Sequence, residues 1–183
     1  MATDLQLPVL DAGDYLLRPW ALADLAAVEE ASRDDLIPLI TTVPAPYSHA
    51  QGVAFIQRQW SRAADGAGYS FVIAEHGGRA VGQLGLWLRD ADEGRASLGY
   101  WVAGSARGRG AAARALTAVA CWAIGLPGID RLELYVEPWN VASIRTAERA
   151  RFRREGLLRS WRRVGGQPKD MFMYSCVRAD LGQ

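Results

Sequence analysis

The stretch Arg107-Gly108-Arg109-Gly110-Ala111-Ala112 decides how this chain is read. It follows a predicted strand and opens a long run of helical periodicity, so it stands where a strand turns into a helix. Glycines at alternate positions let a ligand approach the backbone closely. The first-turn amides of such a helix lack intrahelical partners and sit at the positive end of its dipole, an arrangement that suits a pyrophosphate. A tight strand-to-helix turn would also use two glycines, but it has no need of two guanidiniums, Arg107 and Arg109, beside free amides. The Walker P-loop does not fit, because no Gly-Lys-Ser/Thr follows. A dinucleotide fingerprint does fit by spacing: Gly108-x-Gly110-x-x-Ala113 matches G-x-G-x-x-G/A, and Glu137 ends the next predicted strand where a ribose-binding acid could sit. Against it, the loop follows antiparallel-looking strands more than halfway along a 183-residue chain, leaving too little sequence for a doubly wound sheet.

Outward from that loop, the chain reads as a string of short elements. On its N-terminal side, residues 69–75 and 79–89 flank the turn His76-Gly77-Gly78 as a hairpin, and residues 95–102 follow as a third strand. Before them, residues 14–20 form a predicted strand, and Leu22, Leu25 and Val28 start a helix reaching about residue 32. Residues 34–47 hold three prolines and no clear period, so they predict a loop or broken helix that covers something, a candidate lid. Ser48 and Gln51 form a capping box for a helix whose buried stripe is Val53, Ile56, Trp60 and Ala63, ending near Asp65-Gly66. On the C-terminal side, Ala112, Leu116, Val119, Ala120 and Ala123 line one face of a helix over 108–125. A strand over 131–136 follows, with Leu132, Leu134 and Val136 on one face. Pro138-Trp139-Asn140 opens a helix to about Arg151, and the chain closes with a hairpin whose strands are separated by the turn Val164-Gly165-Gly166-Gln167-Pro168-Lys169. The sum is a mixed α/β (α+β) sheet.

Length predicts one domain over 1–183, with residues 1–13 as an N-terminal extension. Half the residues are hydrophobic and 22% are charged, a globular composition that excludes disorder as the main state. A formal net charge of +1 supplies no global field for nucleic acid or an anionic membrane, so neither is expected as a partner. Two cysteines are too few for a disulfide framework, and with two histidines they match no zinc spacing, so no metal is expected. The N-terminus lacks a signal-peptide pattern, and no apolar stretch reaches the ~20 residues of a membrane span, so a cytoplasmic, soluble protein is expected. Ser-His-Asp hydrolysis finds no support, because neither histidine sits near a G-x-S-x-G elbow.

Residues 107–112 match the Q/R-x-x-G-x-G/A signature of the GNAT acetyltransferase superfamily, and the wider chain resembles its RimJ/RimL-type ribosomal-protein N-acetyltransferase branch. The supporting pieces are Leu17-Arg18-Pro19-Trp20, Gly99-Tyr100-Trp101-Val102, residues 136–143, residues 147–156 and residues 174–180. The resemblance implies a GNAT fold: a mixed, mostly antiparallel sheet of about seven strands with about four helices. The sheet would splay after Gly99-Tyr100-Trp101-Val102, and acetyl-CoA would lie in the splay. The backbone amides of Trp101, Val102 and Ala103 would bond the pantetheine and polarise the thioester carbonyl, while Arg107, Gly108, Arg109, Gly110, Ala111 and Ala112 would hold the pyrophosphate. Preorganised donors are what a carbonyl under attack needs, at ~3–4 kcal/mol for one good donor. Asn140 would contact the cofactor arm, and Ser143 would lie near the CoA sulfur and protonate the departing thiolate. Read without the resemblance, Asn140 is also a good helix N-cap and Ser143 an ordinary first-turn residue. Trp101 and Trp139 are expected to flank the cofactor groove.

The implied reaction is acetyl transfer from acetyl-CoA to a primary amine, either a protein N-terminal α-amine or a small-molecule amine, by direct attack. A non-catalytic acyl-CoA-binding module and an NAD(P)-binding oxidoreductase stand as alternatives. A homodimer is compatible with the sequence but not argued for by it. Arg145 and Arg149, four apart on one helix, could reach a CoA phosphate or form a solvated face. Glu137 is the nearest acid to the groove by sequence, as a base or a surface carboxylate; Asp34 and Asp35 precede the lid and could hold a cationic acceptor or be solvated. Two departures from the family pattern stand out. Ser97 replaces an acid common at that place, and Arg151 replaces a helix-ending glycine, so the helix must end differently or accept about 1 kcal/mol of left-handed strain.

Overall fold

Strand β3 (Gly68–Glu75) is buried on both faces along nearly its whole length, which is why its sequence is a continuous apolar run rather than an alternation. Phe71 and Ile73 point to one core, Val72 and Ala74 to another. The computed structural model describes residues 5–182 of the chain, and β3 lies inside an eight-stranded open sheet. The other strands are β1 (Leu10–Asp11), β2 (Tyr15–Arg18), β4 (Ala80–Trp87), β5 (Arg95–Val102), β6 (Arg131–Val136), β7 (Arg153–Val164) and β8 (Gln167–Val177). Their order is β1-β2-β3-β4-β5-β6-β8-β7, antiparallel throughout except where β5 meets β6. The helices are α1 (Leu25–Ser32), the single turn α2 (Ile37–Ile40), α3 (His49–Ala64), α4 (Ala111–Ala123) and α5 (Val141–Arg149). The expected count was about seven strands and four helices; the additions are the two-residue β1 and the one-turn α2, both too short for periodicity to register. Residues 5–12 of the expected extension lie on the protein, with Leu5, Leu7 and Leu10 packed against the core.

Alanines 111, 115, 120 and 123 bring α4 close to one sheet face, where Leu116 and Val119 meet Leu84, Leu86, Leu98, Leu132 and Leu134. A parallel β5–β6 pair needs a crossover of this kind, since no tight turn can join parallel strands. The other face takes α1 and α3. The buried stripe of α3 is Gly52, Phe55, Ile56 and Gln59; Trp60, expected inside, is 43% exposed and donates its indole N–H to Trp20 O at 2.8 Å. The polar residues of this second core satisfy one another. Gln83 donates to Gln59 and Ser70, both at 2.9 Å, and accepts from Trp101 Nε1 at 2.8 Å. Trp101 therefore does not flank a cofactor groove: strand alternation turns its ring to the α3 side, 4% exposed, beside Trp20.

Candidate active site

The sheet opens between β5 and β6. Their parallel pairing covers only Arg95–Leu98 against Arg131–Leu134. Beyond it, Gly99–Val102 of β5 pairs with β4 alone, and Tyr135 and Val136 of β6 pair with β8 alone. Ala103 N–H donates to Val81 O at 2.9 Å, so ladder alternation directs Trp101 to β4 as well and leaves the amides of Tyr100 and Val102 facing the opening. Of the amides of Trp101, Val102 and Ala103 assigned to the pantetheine and thioester, Val102's is the one placed for a ligand in the gap. Ala103's already has a partner.

Residues 107–112 run from β5 into α4. Gly108 and Gly110 have φ of +78° and +82°, left-handed values that an L side chain adopts only with strain. The first α4 hydrogen bond runs from Arg114 N–H to Gly110 O at 3.0 Å, so the amides of 111–113 have no helix carbonyl to meet. A row of backbone donors at the positive end of a 13-residue helix fits a diphosphate. The two arginines of the loop are not free beside it. Arg107 donates to Val102 O at 3.0 Å and to Asp34 at 2.6 Å, while Arg109 lies 3.9 Å from Glu75. Asp34 is neither a solvated loop charge nor an amine holder. It accepts the Leu36 and Ile37 amides at 2.9 and 3.0 Å and ties the 34–47 segment to Arg107. Burial opposes its ionisation, but those two amides and Arg107 outweigh it and hold its carboxyl below the usual range. The segment also meets the β7–β8 turn, where Leu39 lies against Gly165.

On the β6 side, Asn140 caps α5, its Oδ1 accepting Ser143 N–H at 3.0 Å and its amide nitrogen left over for a ligand. Ser143 lies beside Tyr100, whose OH donates to Ser143 O at 3.4 Å. Burial pushes the Tyr100 phenol up, against smaller lowering by Ser143 and Thr146. Tyr100 lies inside the quoted Gly99-Tyr100-Trp101-Val102 run, yet nothing local distinguishes its hydroxyl from a core tyrosine's. Glu137 is no surface carboxylate: it is 8% exposed and accepts Trp139 Nε1–H at 2.8 Å. Ser97 pairs in register with Glu133 of β6, so a carboxylate does stand beside it, but Arg131 at 2.9 Å and Tyr135 OH at 2.7 Å occupy that group. Arg149 lines a 440 Å³ cleft with Arg114, Asp11 and Gly13; Arg145 does not. His76 sits in the β3–β4 turn, its Nε2 2.6 Å from Gly13 O. No cluster of His, Cys, Asp and Glu able to hold a metal occurs among the described residues, and none of their helices is long and apolar enough to cross a membrane.

Comparison with known proteins points the same way. Residues 14–153 match the acetyltransferase (GNAT) domain family. An uncharacterised N-acetyltransferase of Bacillus licheniformis, p20, is 28% identical over 109 residues, 60% of this chain and 61% of that protein, so the match spans about three fifths of that relative's length. The uncharacterised N-acetyltransferase YoaA of Bacillus subtilis is 24% identical over 91% of this chain and 83% of its own. Among solved structures, Mycobacterium smegmatis RimJ in complex with CoA-disulfide superposes with a TM-score of 0.80 at 28% identity, covering 96% of this chain and 88% of that one. A RimL ribosomal L7/L12 α-N-protein acetyltransferase in complex with coenzyme A shares the fold, with a TM-score of 0.78 at 19% identity over 93% of this chain and 98% of that one.

Proposed function

The chain belongs to the GNAT acetyltransferase family, and from that premise we propose that it transfers the acetyl group of acetyl-CoA to a primary amine by direct attack, without a covalent enzyme intermediate. The observation that carries this reading is the interrupted β5–β6 ladder lying next to the amide-rich start of α4. The amides of 111–113 hold the pyrophosphate, and the pantetheine lies along the free edge of β5 as a missing strand would, bonded by Tyr100 and Val102. Val102 N–H donates to the thioester carbonyl oxygen, which gains charge as the amine nitrogen attacks the carbonyl carbon. The C–S bond then breaks, and the Ser143 hydroxyl gives its proton to the departing thiolate and regains one from water; Tyr100 OH, kept protonated by burial, is a second donor beside it. Glu137, buried at the mouth of the gap, takes the proton shed by the amine. Binding both substrates in one gap supplies the proximity.

The acceptor is a protein N-terminal α-amine or a small-molecule amine. An α-amine, with pKa about 8, needs less help to lose its proton than a lysine at about 10.4. The resemblance of the sequence to the RimJ/RimL-type ribosomal-protein branch supports the N-terminal reading. Calorimetric titration with acetyl-CoA, CoA and NAD(P), followed by CoA release across N-terminal peptides and small amines, tests the proposal. Acetyl-CoA binding with turnover of at least one amine is the expected result. Binding with no turnover on any amine would make the chain an acyl-CoA-binding module, and NAD(P) binding in place of acetyl-CoA would return residues 107–113 to the dinucleotide reading.

A further inference from the structure

Arg62, in the last turn of α3, is a half-buried guanidinium with no carboxylate partner among the described residues. The comparably buried arginines of this protein are paired: Arg18 with Asp24 at 2.8 Å, and Arg131 with Glu133 and Glu155 at 2.9 and 2.6 Å. Among the described residues Arg62 has no ion pair, and its Nη1 is buried without a hydrogen-bond partner. Leaving a charged donor unmet in the interior is costly, so such a group calls for a ligand. Its charged neighbour is a second cation, Arg89; burial first and Arg89 second make the protonated Arg62 harder to keep.

Its position ties it to the gap. The Arg62 guanidinium lies 5.1 Å from the centroid of the Trp87 ring, and the benzo edge of that ring covers Gly85 and Gly99, where a Cβ would come within 2.9 and 3.1 Å of it. Gly85 and Gly99 are partners across β4 and β5, and Gly99 is the first residue past the last β5–β6 pair, Leu98 with Leu134. Alternation puts Trp87, Ser97 and Tyr135 on the sheet face opposite α4, so the orphan cation stands on that face one to two strand spacings, about 5–10 Å, from the opening. Across the opening, Trp161 stacks on Tyr135 at 5.6 Å and forms the opposite wall.

We propose that Arg62, supported by Arg89 and seated on Trp87, is the acceptor's anion subsite, and that the enzyme's acceptor is a primary amine carrying a carboxylate about 5–10 Å from the reacting nitrogen. The assignment rests on the acetyltransferase reading above. Glu137 at the amine end and Arg62 at the carboxylate end give the cleft a polarity that orients such a substrate. A short ω-amino acid and a peptide with an N-terminal glutamate both present this chemistry.

The test uses two matched pairs, γ-aminobutyrate against its amide and Glu-Ala-amide against Gln-Ala-amide, with the CoA-loaded protein as wild type, Arg62→Gln and Arg62→Lys. Calorimetric affinity and CoA release with acetyl-CoA are both measured. The wild type should favour the carboxylate member of at least one pair by about tenfold or more, chiefly in KM. Arg62→Gln should bring that preference close to unity, Arg62→Lys should restore part of it, and the Kd for acetyl-CoA should not change. The pair that responds distinguishes a small amino acid from a peptide terminus. Equal wild-type binding of both members in both pairs overturns the subsite, and so does a preference that survives in Arg62→Gln. If Arg62→Gln proves unstable, the wild-type comparison with Arg62→Lys decides. Failure to bind acetyl-CoA at all would sink the acetyltransferase reading instead, whereas acetyl-CoA binding without a carboxylate preference sinks only the Arg62 assignment.

Discussion

Arg151 shows at the residue scale what a side chain can be made to endure. Helix α5 ends in a Schellman arrangement, with Phe152 N–H donating to Ala147 O at 3.0 Å and Arg151 N–H to Glu148 O at 3.1 Å, and this closure requires a left-handed residue at 151. Arg151 adopts φ of +64°. The sequence offered two outcomes here, and the chain takes the strained one. Arg151→Gly should therefore raise stability by about 1 kcal/mol, measured by denaturant unfolding, and an unchanged midpoint would show that the strain is absorbed elsewhere. Gly110 has the opposite requirement. With φ of +82° at the start of α4, Gly110→Asp adds backbone strain and sets a carboxylate against the pyrophosphate, so acetyl-CoA binding should disappear from a titration. For Ser143→Ala, kcat should fall while the Kd for acetyl-CoA stays the same, because the capping bond to Asn140 is made by the Ser143 amide and not by its hydroxyl.

At the level of elements, α5 is where a structural and a functional role meet in one side chain. Asn140 Oδ1 caps the helix, and its amide nitrogen is the group offered to the cofactor arm. Aspartate caps as well as asparagine but donates nothing, so Asn140→Asp should keep the melting temperature while weakening acetyl-CoA binding; equal affinity would leave Asn140 a cap alone. The elements themselves were readable wherever one period ran long enough. Strand β6 lies at residues 131–136 as its alternation predicts, and α4 starts three residues inside the 108–125 span because Gly108 and Gly110 hold the chain outside helical φ. What stayed illegible depends on which neighbour a face meets. Trp101 looked like a groove residue because its place along β5 is right, but alternation turns it toward α3. Glu137 reads equally as a base or a surface carboxylate because only the fold brings it under cover, and Arg62 reads as an ordinary arginine near a helix end because its lack of a partner among the described residues shows only in the fold. The same holds for Asp34, whose work as a tie to Arg107 depends on a residue 73 positions away.

For the molecule as a whole, acid stability leans on the uncovered end of the sheet. Glu155 sits beside Arg131 and Ser175, which hold its carboxyl down to about 2, against an ordinary 4.5. A depressed carboxyl contributes stability in full above about 4.5 and loses it as pH falls from there toward 2. Glu155→Gln should accordingly flatten the acid limb of the stability curve over that window and leave its slope near neutrality untouched, as followed by urea unfolding at a series of pH values. Ligand binding acts on the entire fold as well: at a hundredfold excess over Kd, acetyl-CoA should add about 2.7 kcal/mol and raise the melting temperature to match. The short β5–β6 ladder bears on motion too. Four residue pairs make up the whole ladder between a five-stranded half-sheet and a three-stranded one, which α4 also bridges, so the two halves can breathe about that seam at its unpaired end. The amides of Tyr100 and Val102 should trade hydrogen for deuterium freely in the empty protein and slowly in the loaded one, with Leu98, inside the ladder, protected in both. A substrate that fills the seam thus stitches the halves together, and the rigidity of the protein becomes a reporter of its occupancy.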